Sequence, residues 1–479
     1  MNRGKKLIIL CCALVVLGAG YVVARTVYAE PTEEEEGVAL AAPEEASRLE
    51  WTYEGATLAL VKEDDSWSYA DDDVFPLDQS VPENMTSVLS GLTASRVLDE
   101  PGELADYGLD EPALTVTATD ADGTAYTFAV GDQNEVSQEY YLLYNGDESK
   151  VYMVDSSLGD AFSLGLYDMV QMESLPMFGT VTGLSVTQPG GSISVSYVED
   201  SESLYYDSSA HWFLEQEDGT QLALDTGKVT SLTASVTGLT WISCVNYDAD
   251  DQELAAWGLE ESSAVKVVLT YEPSSSEDDE EESDTEAEPQ TFVLYLGNDT
   301  DEGTYARLAD SRMVYLINSD TADSLRYTSY SSLRPAEICS VDWNTVDRLE
   351  VTVDGTTNTI SFDEQEEETT ADGGDTVTET VPLYTWNGTE MDNTSVESLL
   401  NAIDALTATG DAGGENQGEL LASFTIYRDS TYFTELTLEL YAYDTSSCLA
   451  VFNGGTPRLV DRSAVTTLTD ALDSLFTEE

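Results

Sequence analysis

The side chains in this 479-residue chain best suited to acid–base, nucleophilic or metal chemistry are one histidine, five cysteines and 93 carboxylates. His211 lies between Ala210 and Trp212 in a strand-like stretch. A single imidazole excludes metalloprotease helices, histidine-rich metal sites and paired-histidine acid–base schemes. A Ser–His or Cys–His nucleophile would have to use His211, and no Gly-x-Ser-x-Gly elbow accompanies it. Walker-type loops and dinucleotide fingerprints after a strand are absent as well. His211 is therefore read as a structural or surface residue.

Cys11 and Cys12 sit in an apolar N-terminal run, while Cys244, Cys339 and Cys448 are far apart. An odd count does not close into a disulfide framework, and without Cys-x-x-Cys a structural zinc is not expected. The carboxylates leave more room. A glycosidase needs two of them facing each other at a set separation, which counting does not reveal. Asp120-Ala121-Asp122-Gly123 resembles the start of a calcium loop, yet the remaining ligands and the closing Glu are missing. It is read as a hairpin turn. Asp248, Asp250 and Asp251, and Asp299, Asp301 and Glu302, are acidic turns with weaker claims. The expectation is no catalytic, cofactor-binding or metal residue, with calcium the one ion these turns bring into consideration.

Charge narrows the partners. Of 18 bases, Arg3, Lys5, Lys6 and Arg25 precede the first acid, Glu30, so the remainder carries 14 bases against 93 acids, a net −79. Such a surface repels nucleic-acid phosphate and disfavours anionic headgroups. Arg3, Lys5 and Lys6 precede Leu7–Ala24, an uncharged run that spans about 27 Å as a helix. This predicts a cytoplasmic tip and single-pass transmembrane anchor over residues 1–29, with the N-terminus cytoplasmic and the bulk of the chain extracytoplasmic at the cell surface. Val27-Tyr28-Ala29 offers the alternative of a cleaved signal peptide, although the run is longer than a usual signal core. Residues 30–46 then read as an acidic stalk.

The elements beyond the stalk repeat. Units over 49–178, 179–338 and 341–479 each open with alternating apolar residues and carry a tryptophan, Trp67, Trp212 or Trp386. An amphipathic helix follows: Val81, Met85 and Leu89; Val229, Leu232 and Val236; Val396, Leu399 and Ile403. Then comes Tyr107-Gly108-Leu109 in the first unit and Trp257-Gly258-Leu259 in the second; the third is degenerate, with Gly418-Glu419-Leu420 in place. Leu114 and Val116 with Tyr126, Phe128 and Val130 form a hairpin around Asp122-Gly123, expected as a two-residue turn. Gly131 and Gly297 close these hairpins, and Asp155, Asn318 and Asp461 each precede a terminal helix. The acidic insert at 272–289 reads as disordered, and another occupies 363–380. The fold class expected is α+β: a transmembrane helix, then three tandem repeats of antiparallel strands with two helices each. Tyr107, Gly108, Leu109, Gly131, Asp155, Trp257, Gly258, Leu259, Gly297, Asn318 and Asp461 are its fold-defining positions.

Tyr107-Gly108-Leu109-Asp110-Glu111-Pro112, Gly131-Asp132, Tyr140-Tyr141 and the run Val151–Ser156 resemble a bacterial family, domain of unknown function 4340. The resemblance covers the first unit well, the second through Trp257-Gly258-Leu259 and the run Val314–Asn318, and the third weakly. It implies extracytoplasmic, membrane-tethered proteins, some beside transporters, and carries no catalytic residues. The functional expectation is a non-enzymatic, membrane-anchored binding or scaffold protein, accessory to an envelope transporter or another envelope component. A carboxylate-dependent enzyme acting on an envelope glycan and a calcium-stabilised adhesin are the alternatives.

Overall fold

The computed structural model describes residues 37–216, 218–273, 288–370, 376–412 and 418–476. They form two compact units. One holds the described residues up to Ser174 together with Ser243–Ala249 and Arg312–Tyr315; the other holds Leu175–Ile242, Asp250–Ser311 and the described residues from Leu316.

In the first unit an antiparallel sheet runs in the order Ser66–Tyr69, Ala56–Glu63, Ala46–Tyr53, Leu114–Asp120, Ala125–Gln133, Tyr140–Tyr144, Lys150–Val154, Arg96–Asp99. The chain builds a three-strand meander and crosses over through the helix Ser80–Gly91. It lays Arg96–Asp99 at the far edge, then returns to the centre for a four-strand meander that ends against that edge. Period-two alternation sets the register. Leu114 opposes Val130, Val116 opposes Phe128 and Trp51 opposes Val116, all buried on one face. Met85 and Leu89 of Ser80–Gly91 are buried with them, as are Leu158 and Phe162 of the helix Ser157–Phe162.

The second unit repeats this order. One sheet runs Gln221–Ala223, Trp212–Glu215, Gly191–Tyr197, Phe178–Gln188, Val265–Pro273, Gln290–Asp299, Thr304–Leu308. Another runs Thr389–Glu390, Thr376–Trp386, Thr356–Thr370, Val346–Val353, Leu420–Arg428, Glu435–Ala442, Ser447–Phe452, Arg458–Asp461, Ala408–Asp411. The helices Thr226–Thr237 and Ser319–Arg326 pair over the first of these, and Asn393–Asp404 and Arg462–Phe476 over the second. Val229, Leu232, Val236, Val396, Leu399 and Ile403 are buried, so the apolar stripes face the sheets.

The α+β fold class is overturned. Among the described residues the structure is mostly β, with 43% in strands against 21% in helices. The helices are short, and Leu104–Tyr107 is only a 3₁₀ turn. Short edge strands that periodicity does not predict are present, among them Thr93–Ala94, Arg96–Asp99 and Ala408–Asp411. No helix among the described residues is long and apolar enough to cross a membrane. Leu7–Ala24 lies outside the described residues, as do 274–287 of the insert at 272–289. Residues 37–46, expected to end a stalk, include Val38–Ala39 paired with Thr93–Ala94, and Leu40 is buried. The insert at 363–380 extends a hairpin, with ladder pairs continuing to Thr370 opposite Thr376. The turn at Asp122-Gly123 has three residues, since Asp120 pairs its N–H with the Thr124 carbonyl and Gly123 takes φ +85°.

Candidate functional site

The fold-defining positions meet at a joint that occurs twice. Gly108 and Gly258 adopt φ of +66° and +73°, turning the chain from a short helical segment into the central strand. Behind them, a Cβ on Gly131 would lie 2.2 Å from the Tyr107 carbonyl oxygen, and one on Gly297 would lie 2.2 Å from that of Trp257. Main chain therefore touches main chain where only glycine fits. Leu109 and Leu259 are buried beneath. Tyr107 packs edge-on against Tyr141 at 4.8 Å, and Trp257 packs against Tyr305 at 5.6 Å. In the third copy the glycine changes strands: Ala442 takes the hairpin position, and Gly418 makes the approach, with its own Cβ direction 2.2 Å from the Ala442 oxygen. Asn318 caps its helix by accepting N–H bonds from Asp320 and Thr321, whereas Asp155 accepts from Ser157 N. Asp461 remains in a strand opposite Ser447. The joint is architecture.

The acidic turns serve as backbone acceptors. Asp120 Oδ1 accepts the N–H groups of Asp122 and Thr124 at 2.9 and 2.8 Å. Asp250 caps the helix Asp251–Ala256 by accepting from Gln252 and Glu253, and Glu253 returns a bond from Asp250 N. Asp299 accepts from Thr304 Oγ1 at 2.7 Å and from Arg326, and these contacts hold its carboxyl below the usual range. Among the described residues, no group of three His, Cys, Asp or Glu side chains is arranged to hold an ion. His211 pairs Nδ1 with the Val198 carbonyl and packs against Tyr197. Cys244, Cys339 and Cys448 are buried thiols, and burial raises their pKa values, to about 11 for Cys244.

Sequence reasoning missed a different constellation. Within the second unit a cavity of 580 Å³ lies between the edge strand Gln221–Ala223 and the strands of the third copy, a size in the range of small-molecule sites. Arg334, Asp411 and Arg458 line it. Arg334 caps the short helix Tyr330–Leu333, and its guanidinium meets Asp411 Oδ1 at 2.6 Å. Asp411 and Arg458 oppose each other on neighbouring strands. Arg458 donates to the Pro335 carbonyl at 2.8 Å and the Glu337 carbonyl at 3.2 Å, while its Nε is buried without an acceptor. Burial, and then the Arg334 charge, lower the Arg458 pKa. Tyr205 and Tyr330 also line the cavity; burial raises both pKa values, and the two guanidinium groups partly offset this at Tyr330. Gln221 lines it too, with Oε1 buried and unpartnered.

The segment that builds this corner is fixed on both sides. Lys228 Nζ donates to the Arg334 carbonyl at 2.9 Å, and Ile338 N donates to the Leu406 carbonyl at 2.9 Å. An excursion between Tyr197 and Trp212 inserts Tyr206 into the core of the third copy. There it contacts Phe452 at 4.8 Å and accepts a bond from Ser340 N.

A family model, Domain of unknown function (DUF4340), matches residues 67–245 and again 212–420, most of the chain. The chain belongs to the DUF4340 family. Its two matches begin at Trp67 and Trp212, equivalent strand positions in two copies, as expected of a repeat-containing DUF4340 member. Arg334 and Asp411 fall inside the second match, whereas Arg458 lies beyond it. No curated protein and no solved structure matches this DUF4340 chain.

Proposed function

We propose that this protein is a non-catalytic binding or scaffold protein acting outside the cytoplasm, and that its small-molecule site is the cavity at Arg334, Asp411 and Arg458. One observation carries the reading: the fold brings two guanidinium groups to one cavity. Asp411 is ion-paired at 2.6 Å, and Arg458 is tied to two main-chain carbonyls. Guanidinium groups held in this way are suited to recognition, and an arginine does not shuttle protons. The basic tip and acidic remainder of the chain support the placement outside the cytoplasm. An envelope component, such as a transporter, is the partner that this placement favours.

The test is a thermal-shift screen of the purified protein against a chemically mixed small-molecule library, repeated with Thr456→Trp. Thr456 is an exposed residue of the cavity wall, so the new ring obstructs the space without entering a core. Ligands that stabilise the native chain and lose their effect in the variant support the reading. Release of reducing ends from envelope glycan, abolished by Asp411→Asn, would replace it with the enzyme alternative.

A further inference from the structure

Basic residues are concentrated at the cavity, against the trend of this chain. Only 14 bases follow Arg25, against 93 acids, yet two arginines converge here. Arg458 makes no ion pair among the described residues; its η nitrogens go to carbonyls and its Nε meets no acceptor. Arg334 has a carboxylate partner, but that partner is half exposed. The Asp411 side chain retains 50% of its accessibility, against 15% for Arg334. An exposed carboxylate on a largely buried guanidinium is exchangeable, because water and a second anion can both take its place. Two arginines and two carboxylates, Asp411 and the exposed Glu337, line the cavity, and of the carboxylates only Asp411 lies within ion-pair distance of a guanidinium. Leu222, Ala223, Ile338, Ala450 and Phe452 supply apolar lining, and Tyr205 and Tyr330 line the cavity as well.

We infer that the cavity binds a small organic carboxylate with a compact apolar body. Its carboxylate replaces Asp411 on Arg334 within the field of Arg458, and its body lies on Leu222 and Phe452. A planar guanidinium receives a carboxylate through two parallel hydrogen bonds, and the carboxylates of Glu337 and Asp411 in the same lining oppose a phosphate dianion more than a monoanion. The inference rests on the binding reading above and gives it a ligand class.

Asp411 gives the test a distinctive sign. If it competes with the ligand, removing its charge tightens binding; if it contacts the ligand as an acceptor, removal weakens binding. Benzoate, hexanoate, benzamide and inorganic phosphate are titrated calorimetrically into the full chain, and then into Arg334→Gln, Asp411→Asn and Arg458→Lys. The expected result is saturable 1:1 binding of benzoate or hexanoate, with no heat from benzamide. Arg334→Gln should weaken binding roughly ten- to hundredfold, the effect of losing a charge-assisted pair. Asp411→Asn should strengthen it several-fold, and Arg458→Lys, which retains the charge, should weaken it less than Arg334→Gln. Circular dichroism of each variant separates lost binding from lost fold. Equal binding of benzamide, tighter binding of phosphate, or weaker carboxylate binding in Asp411→Asn each overturns the inference. If carboxylates fail while other library ligands bind and are blocked by Thr456→Trp, the ligand class falls and the binding reading stands. If nothing binds, both fall.

Discussion

Arg307, Arg326 and Arg458 direct guanidinium N–H groups at main-chain carbonyls, those of Leu259, Gly297 and Pro335 among them. In so acidic a chain, the few arginines hold backbone that the strand ladders leave unsatisfied. Glycine has an equally specific place. Gly297→Ala should cost about 1–3 kcal/mol, because its Cβ meets a carbonyl oxygen that is itself fixed in the joint. Urea unfolding checks this, and an unchanged midpoint would remove the close-approach argument. Ionisation provides a second test. Tyr247 donates to Asp72, and that hydrogen bond, with burial and the Asp72 charge, pushes its phenol up to about 12. The neutral form is favoured in the folded state, so the contribution is complete below the ordinary tyrosine pKa of about 10 and is lost as pH rises through 12. Ultraviolet titration of Asp72→Asn should show one tyrosine moving down towards 10. A superimposable curve would mean that the contact does not form in solution.

Strand alternation and helix stripes were readable from local sequence because both are periodic signals. Leu114, Val116, Phe128 and Val130 pair in the register their spacing implies, and Val396, Leu399 and Ile403 are buried together. The short edge strands were not readable. Arg96–Asp99 and Ala408–Asp411 have too few residues for alternation to show, and only the partner strand makes them strands. Cap chemistry was partly readable. Asn318 caps its helix, whereas Asp461 continues a ladder, because the preceding strand runs one residue further. Asn318→Ala should therefore cost about 1 kcal/mol, while Asp461→Ala should cost less. Denaturant midpoints of the two variants decide it, and a larger effect at Asp461 would reverse the assignment.

At the scale of the molecule, the cavity was hidden because its residues come from separate stretches. Arg334 sits at a unit joint, Asp411 on an unrecognised edge strand and Arg458 on a strand near the C-terminal end. Sheet register and the fixed segment around Pro335 bring them together. The scarcity of bases was the available signal: an arginine at a joint in a chain of 93 acids merits a search for its partner. Tyr206 is the other long-range element. Tyr206→Ala should cost about 3–5 kcal/mol through the emptied volume in the third copy's core, and should increase proteolysis near residues 334–340. Unchanged digestion would show that Tyr206 does not secure that segment.

The most direct measurement is side-chain NMR of the arginines in ¹⁵N-labelled protein, with the Arg334 resonance assigned by Arg334→Gln. Added benzoate should shift that resonance saturably, with the Arg458 signal moving less and benzamide leaving both in place. An Arg334 resonance that stays fixed while benzoate saturates the protein elsewhere would contradict the assignment of this cavity as the binding site.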